Sequence, residues 1–335
     1  MHPDPLQGLL PAPPPVLTDA QVTDLAQRHF GIAGHHNRLT SERDLNIHIA
    51  TPDQHYVLKL ANPAEPPAVT DFQTQALLHL EATGLPVPRV IRTTTGATQA
   101  DTPHGTLRLL TYLQGQPLHA TRRSPQQAAA MAQMAARITL GLQGFAHPAA
   151  GHVLQWDIKH ASALRPLLPA IPEDLRDLAT ATLTRFDAEI APRLSALRWQ
   201  VVHNDLNPHN VLTDLDDPTK IAGVLDFGDM VHTPLICDAA IAASYHIDPA
   251  QPLTSLQTFA RAFHATLPLT PQEAQLFPDL VATRMLTTLA ITSARAASHP
   301  DNAPYILRNF ATSADGLRAL AAIPRHTLQT AMECL

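Results

Sequence analysis

The sequence predicts an α+β protein in two parts, a small β-rich N-lobe followed by a larger helical C-lobe. Three observations carry this. Short apolar or alternating runs bounded by turn residues crowd the first third of the chain, with one long helical pattern among them. Past Gly115 and Pro117 the text becomes a succession of helical stripes. The helical part is interrupted by one strand-rich patch, in which two apolar runs flank the acidic turn at residues 214–218.

Taken in order, residues 1–16 hold Pro11, Pro13, Pro14 and Pro15 and read as a flexible or extended tail. They have no basic n-region, and no run anywhere nears 18 apolar residues, so neither a signal peptide nor a membrane span is expected. Thr18 can cap a helix over 19–30 that Gly31 closes. Residues 38–49 are irregular and strand-like, and 56–60 (YVLKL) form a clear strand. Lys59 stands inside it as the only lysine of the first 150 residues, a costly placement unless the amine has a partner or a task. A helix spans about 66–82, with Gly84 placed to cap it, and strands follow at 90–93 and 106–113. The N-lobe is therefore drawn as 17–113 and the C-lobe as 114–335. The latter has helices at 126–142, 173–197 with a kink at Pro192, and about 252–266, 271–298 and 303–322. Strands at 211–212 and 221–225 pair as a hairpin.

Bulk properties exclude several roles. The 335 residues are enough for about two domains. The chain is 45% hydrophobic, 16% charged and carries net charge −6 without any basic stripe, so nucleic acid is not an expected partner. Nineteen histidines are scattered, with no metal-binding spacing. Cys237 and Cys334 fit no CxxC pattern and read as two thiols in a reducing cytoplasm. None of this sets an oligomeric state.

The chemistry concentrates in VVHNDLNPHN, residues 201–210, and in the Asp226-Phe227-Gly228 that follows the hairpin. A hairpin brings its open ends together, so Asn210 and Asp226 should be neighbours. An amide oxygen and a carboxylate are ligands that Mg²⁺ accepts beside water and phosphate. Asp205 overlooks the same point and can take a proton from an attacking hydroxyl. Lys59 would bring positive charge to phosphate oxygens. Singly, Asp205 can cap a turn, Asn210 satisfy a loop and Asp226 end a hairpin; these readings do not explain the set.

These motifs, with LTSERDLNI (39–47), YVLKLANPAE (56–65), DFQTQALLHL (71–80), WDIKHA (156–161) and GVLDFGDMVHTPLICDAA (223–240), resemble the aminoglycoside phosphotransferase / choline kinase family of small-molecule kinases. Within it the likeness is to the hydroxylysine kinase-like branch, over about Leu39 to Tyr245. The resemblance implies a protein-kinase-like two-lobe fold with ATP or GTP and Mg²⁺ between the lobes. It implies Asp205 as catalytic base, Asn210 and Asp226 as Mg²⁺ ligands, and Lys59 on the phosphates. Ser41 to Asn46 falls at the phosphate-covering loop, and Tyr112 and Leu113 at the hinge that meets the base. His203 would brace the catalytic loop. Asp238 would tie that loop to a helix, or simply cap the helix at 239–244.

Two departures from the family pattern stand out. Gln73 (or Gln75 in a shifted register) replaces the usual helix glutamate, and as an amide it can still accept from Lys59. The loop SERDLN has no glycine; Arg43 either adds charge there or pairs with surface carboxylates.

The expected activity is transfer of the γ-phosphoryl group to a hydroxyl of an amino alcohol or hydroxy amino acid. Hydroxylysine leads; homoserine, ethanolamine, choline and aminoglycosides stay open. Asp229 is the first candidate to hold a substrate ammonium, with Asp157 and His232 behind it; each can equally be a solvated loop residue or a local cap. A protein kinase is disfavoured, because eight residues separate Gly228 from Cys237 and leave no peptide platform. A non-catalytic nucleotide-binding protein would be expected to lack one of Asp205, Asn210, Asp226 or Lys59, and all four are present.

Overall fold

Alternation along the first third of the chain resolves into six strands in the computed structural model, which describes residues 14–41 and 43–335. The expected tail over 1–16 therefore lies outside the described residues except for its last three. Helix α1 (Asp19–Phe30) starts on a capping box between Thr18 and Gln21 and ends at Gly31, whose φ of 69° is left-handed. Strands β1 (His35–Leu39), β2 (Leu45–Ala50) and β3 (His55–Leu60) run antiparallel. Helix α2 (Pro67–Glu81) follows, then β4 (Val90–Ile91), β5 (Ala100–Thr102) and β6 (Gly105–Thr111). The sheet order is β1-β2-β3-β6-β4, with β5 also on β6.

Period-two alternation decides what each sheet face does. Leu45, Ile47, Ile49, Leu58 and Leu60 are buried with Leu107, Leu109 and the apolar side of α1. The other face carries Asn46, opposite Lys59, which is in turn opposite Arg108. Facing residues on neighbouring strands share a side, so these three polar groups form one row. On α2, Phe72, Ala76, Leu77 and Leu80 belong to the same apolar core as the C-lobe helices. The helix ends at Ala82 rather than at Gly84, which follows with φ 68°.

Residues 112–115 lead into β7 (Gln116–Pro117), which pairs with β9 (Val211–Thr213) of the expected hairpin; β10 (Ile221–Val224) is its other strand. Gly115 is needed where they meet, since a Cβ there would come within 2.7 Å of the Thr213 carbonyl oxygen. A further pair joins β8 (Trp199–Val202) to β11 (Val231–Pro234).

The rest is helical: α3 (Pro125–Gly141), α4 (Glu173–Arg185), α5 (Ile236–Ser244), α6 (Pro252–Thr266), α7 (Pro271–Ser298), α8 (Ala303–Ile306), α9 (Phe310–Ala321) and α10 (Arg325–Glu333). Helix α7 is buried along most of its 28 residues and forms the axis of this lobe. Two sequence expectations need correction, and one segment is unexpected. The helix over 173–197 stops at Arg185, widens into a π-turn over Phe186–Ile190 and tightens into a 3-10 turn over Ala191–Ala196. Pro192 has no N–H to continue the ladder, and the Ala191 N–H reaches back to the Phe186 carbonyl instead. The helix over 303–322 is two helices, divided where Arg308 N–H bonds the Tyr305 carbonyl at three-residue spacing. The stretch Ile158–Ala170, not anticipated, is a 3-10 segment compatible with Pro166 and Pro169. Among the described residues no helix is long and apolar enough to cross a membrane.

Candidate active site

The loop after β8 is held from two sides, by α5 and by the hairpin exit. Asn204 adopts φ 65°, and its N–H donates to Asp238 Oδ1 (2.8 Å). Asp238 sits in the first turn of α5 and also accepts from the Thr139 hydroxyl (3.3 Å). Leu235 is the N-cap of α5, so Asp238 ties the loop to the helix and does not cap it. Burial pushes the Asp238 carboxyl up to about 6. His203 Nδ1 accepts from the Asp205 N–H (3.2 Å), which makes Nε2 the donor to the Leu225 carbonyl (3.0 Å). Burial drives this imidazole down to about 4, so it is neutral at pH 7. One ring thereby joins the loop to the exit of the hairpin.

Asp205 lies at the centre. Its Oδ1 accepts from Asn207 Nδ2 (2.9 Å) and Arg284 Nη2 (3.4 Å), and its Oδ2 from Asn210 Nδ2 (2.6 Å). Burial, and then the negative Asp229, push the carboxyl up to about 7 against the opposing pull of Arg284 and Asn207. A carboxylate titrating near neutrality is suited to general-base work.

The Leu225 N–H donates to the Asn210 carbonyl (2.7 Å), so Asp226 follows the residue that faces Asn210. Asp226 is left-handed (φ 56°) and accepts from the Gly228 N–H (3.2 Å). Burial would raise its carboxyl, but Lys59 and Arg43 lead a stronger opposite pull, and it titrates below the usual carboxylate range. The donor set fits Mg²⁺: the Asn210 amide nitrogen is spent on Asp205, which leaves Oδ1, and Asp226 stays ionised. Among the described residues no group of three His, Cys, Asp or Glu side chains can hold a metal. An amide and a carboxylate completed by phosphate oxygens need no such group.

On the N-lobe side the structure corrects several expected partners. Lys59 Nζ is 3.7 Å from Asp44 Oδ2, and Gln73 instead accepts from Arg108 Nη2 (3.0 Å). Arg108, buried opposite Lys59, takes the α2 amide because it has five donors to satisfy and also reaches the Thr70 carbonyl and Thr74 hydroxyl. Gln75 bonds Asp71 (3.1 Å). Tyr112 spends its N–H on the His55 carbonyl (3.0 Å), so that group is not free for a base, while Leu113 packs beside Gly223 of the hairpin. Ser41 is half-buried at the loop's start, Glu42 lies outside the described residues, and Asn46 holds the far end. Asn46 Oδ1 is buried without a hydrogen-bond partner among the described residues.

The three acceptor candidates fare differently. Asp229 is buried, but its carboxylate is engaged by the Arg43 guanidinium from the glycine-free loop, and this pairing holds Arg43 well above its usual range. Asp157 is buried and committed to Lys159 and the Thr233 hydroxyl (3.0 Å), capping the 3-10 segment after it. His232 is exposed on β11 with its ring against Trp199, outside the cluster.

Sequence reading missed Arg284, Asn207 and Arg108. Asn207 lies within the loop 203–210, and no spacing there marks it. The two arginines gave a signal of the kind Lys59 gave, a full charge in an otherwise apolar run, TLRLL for Arg108 and TRML for Arg284.

A strand-rich lobe, a helical lobe and, at their junction, a half-buried acid on the loop leading into a hairpin whose mouth carries an amide and a left-handed aspartate define a phosphoryl-transfer enzyme of the kinase type. The chain belongs to the phosphotransferase enzyme family, APH, whose model matches residues 37–277. It is 30% identical to hydroxylysine kinase of Danio rerio over 330 residues, covering 92% of each chain. It is 29% identical to that of Mus musculus over 324 residues, covering 88% of this chain and 86% of the relative. Among solved structures it is similar to an amicoumacin kinase in complex with AMP-PNP, Ca²⁺ and Ami. The TM-score is 0.67 at 15% identity, over 93% of this chain and 97% of that one. The fold is the two-lobe kinase fold, and the protein is a small-molecule kinase.

Proposed function

We propose that this kinase transfers the γ-phosphoryl group of ATP or GTP to the hydroxyl of a hydroxy amino acid of the hydroxylysine type. One observation carries the chemistry: Asp205, Asn210 and Asp226 share one mouth of the hairpin, with Asp205 Oδ2 bonded to the Asn210 amide at 2.6 Å. The relatives named hydroxylysine kinase, matched over most of the chain, support the acceptor class.

In this reading Asp205 takes the proton of the acceptor hydroxyl as its oxygen bonds to the γ-phosphorus. The bond from that phosphorus to the β–γ bridging oxygen breaks, and the nucleoside diphosphate leaves. Asn210 and Asp226 would hold Mg²⁺, which would neutralise phosphate charge. Lys59 and Arg43 supply the positive charge from the N-lobe. His203 and Asp238 keep the loop in place, and Tyr112 and Leu113 border the base.

The deciding experiment incubates the protein with Mg·ATP or Mg·GTP and 5-hydroxylysine, homoserine, ethanolamine, choline or an aminoglycoside, and reads phosphorylated product by mass. Hydroxylysine phosphate is expected as the dominant product. Product from choline or an aminoglycoside alone would refute the acceptor class. An Asp205→Asn protein working at the wild-type rate would refute the base.

A further inference from the structure

Asp205 is an aspartate with unequal oxygens. Oδ1 already has two donors, Asn207 Nδ2 and Arg284 Nη2, whereas Oδ2 has only Asn210 Nδ2. A carboxylate oxygen offers about two lone pairs, so Oδ1 is filled and Oδ2 keeps one place. An unheld carboxylate rotates about its terminal torsion, which is broad and roughly two-fold, and would exchange the two oxygens.

The group that blocks this rotation must itself be fixed, and Arg284 is. It projects from α7 with only 2% of its side chain exposed. Its Nη1 donates to the Trp156 carbonyl (3.1 Å), its Nη2 also donates to the Tyr245 hydroxyl (3.2 Å), and its guanidinium lies 5.1 Å from the Trp156 ring centre. Trp156 precedes the 3-10 segment and Tyr245 closes α5, so three separate elements immobilise one fork of donors. A guanidinium this deeply buried needs a countercharge, and the carboxylate it reaches is the proposed base.

We infer that Arg284 is a positioning residue for phosphoryl transfer: by filling Asp205 Oδ1 it presents Oδ2 as the oxygen that receives the acceptor proton. This rests on Asp205 being the base. Arg284 itself touches neither nucleotide nor acceptor. Its guanidinium takes no proton, and the proton from the hydroxyl ends on Oδ2. Lysine at 284 would keep the charge but lose the planar fork that reaches the Trp156 carbonyl, the Tyr245 hydroxyl and Asp205 at once.

The test compares wild type with Arg284→Met, Arg284→Lys, Tyr245→Phe, Asp205→Asn and the double variant Asp205→Asn/Arg284→Met, using Mg·ATP and 5-hydroxylysine. Arg284→Met is expected to lower kcat about 10²-fold, the scale of a small misplacement of a reacting group, with both KM values within about twofold of wild type. Arg284→Lys should recover part of the loss, and Tyr245→Phe should show a smaller fall in kcat alone. Added to Asp205→Asn, the methionine should cost nothing further, because the carboxylate it acts through is gone.

An equal loss on both backgrounds would overturn the inference. So would a raised acceptor KM with kcat retained, since Arg284 would then contact the acceptor directly. Asp205→Asn at full rate would instead defeat the base assignment. Amide hydrogen exchange over residues 204–210 needs no acceptor: it should quicken in Arg284→Met, and wild-type protection there would count against the anchor.

Discussion

The two walls of the cleft are built on different principles. On the C-lobe wall every working group is cross-braced at short range: His203, Asp205, Asn207 and Asn210 bond among themselves, to Leu225 of the hairpin and, through Asn204, to Asp238. On the N-lobe wall the pairings are uneven: Arg43 is tied to Asp229 and Arg108 to Gln73, whereas Lys59 stands 3.7 Å from Asp44. The first arrangement is set by the fold alone. The second leaves Lys59 loosely held, so under the proposed function it is the N-lobe charge most open to a nucleotide.

The largest expected effect breaks the braced wall. Asp226→Ala should lower kcat by about 10²-fold or more, comparable to removal of one preorganised electrostatic group. Calorimetry should show nucleotide binding that no longer strengthens with Mg²⁺; undiminished Mg²⁺ dependence would reassign the ligand. Next, Lys59→Met should raise the nucleotide KM about tenfold, the scale of a hydrogen bond to a charged group, and leave the acceptor KM unchanged. A change confined to the acceptor KM would place Lys59 on the wrong substrate.

Gln73→Leu sharpens the comparison from the other side. It strips buried Arg108 of an acceptor and should cost about 1–3 kcal/mol of stability with little change in kcat. If thermal unfolding stayed put while nucleotide affinity dropped, Gln73 would belong to Lys59 after all.

The smallest effect is a pH dependence. His203 is held neutral down to about 4 in the folded protein, whereas an unfolded histidine charges near 6.5. Its stabilisation is therefore present above pH 6.5 and lost as pH falls from there through 4. His203→Gln keeps a donor for the Leu225 carbonyl, so its melting temperature should fall less steeply than wild type's between pH 7 and 4.5. Parallel slopes would mean the ring is not desolvated.

The same contrast explains what could be read in the sequence. Asp205 and Asn210 lie five residues apart, and Asp226 returns to them through a hairpin whose turn is written in its acidic residues. Local spacing was enough to group them. The N-lobe partners depend on registers between β3, β6 and α2, where Lys59 and Arg108 compete for one amide, and no spacing along the chain says which succeeds. Arg43 and Asp229 meet across 186 residues, and Arg284 reaches Asp205 across 79. Neither partner can be read from the sequence, because a long-range ion pair leaves no periodicity. The break at Phe186 was half legible, because Pro192 announces an interruption but not the turn of helix that absorbs it.

The left-handed backbone at Asn204 and Asp226 has a consequence for how this enzyme tolerates change. Glycine relieves such a conformation at either site. At Asn204 no side-chain hydrogen bond opposes that substitution: the loop uses its N–H, and both side-chain amide atoms are buried without a hydrogen-bond partner among the described residues. At Asp226 the carboxylate's proposed place as a Mg²⁺ ligand would be the reason for accepting the backbone cost. Under random mutagenesis and selection for turnover, position 204 should therefore drift between asparagine and glycine, while position 226 stays fixed.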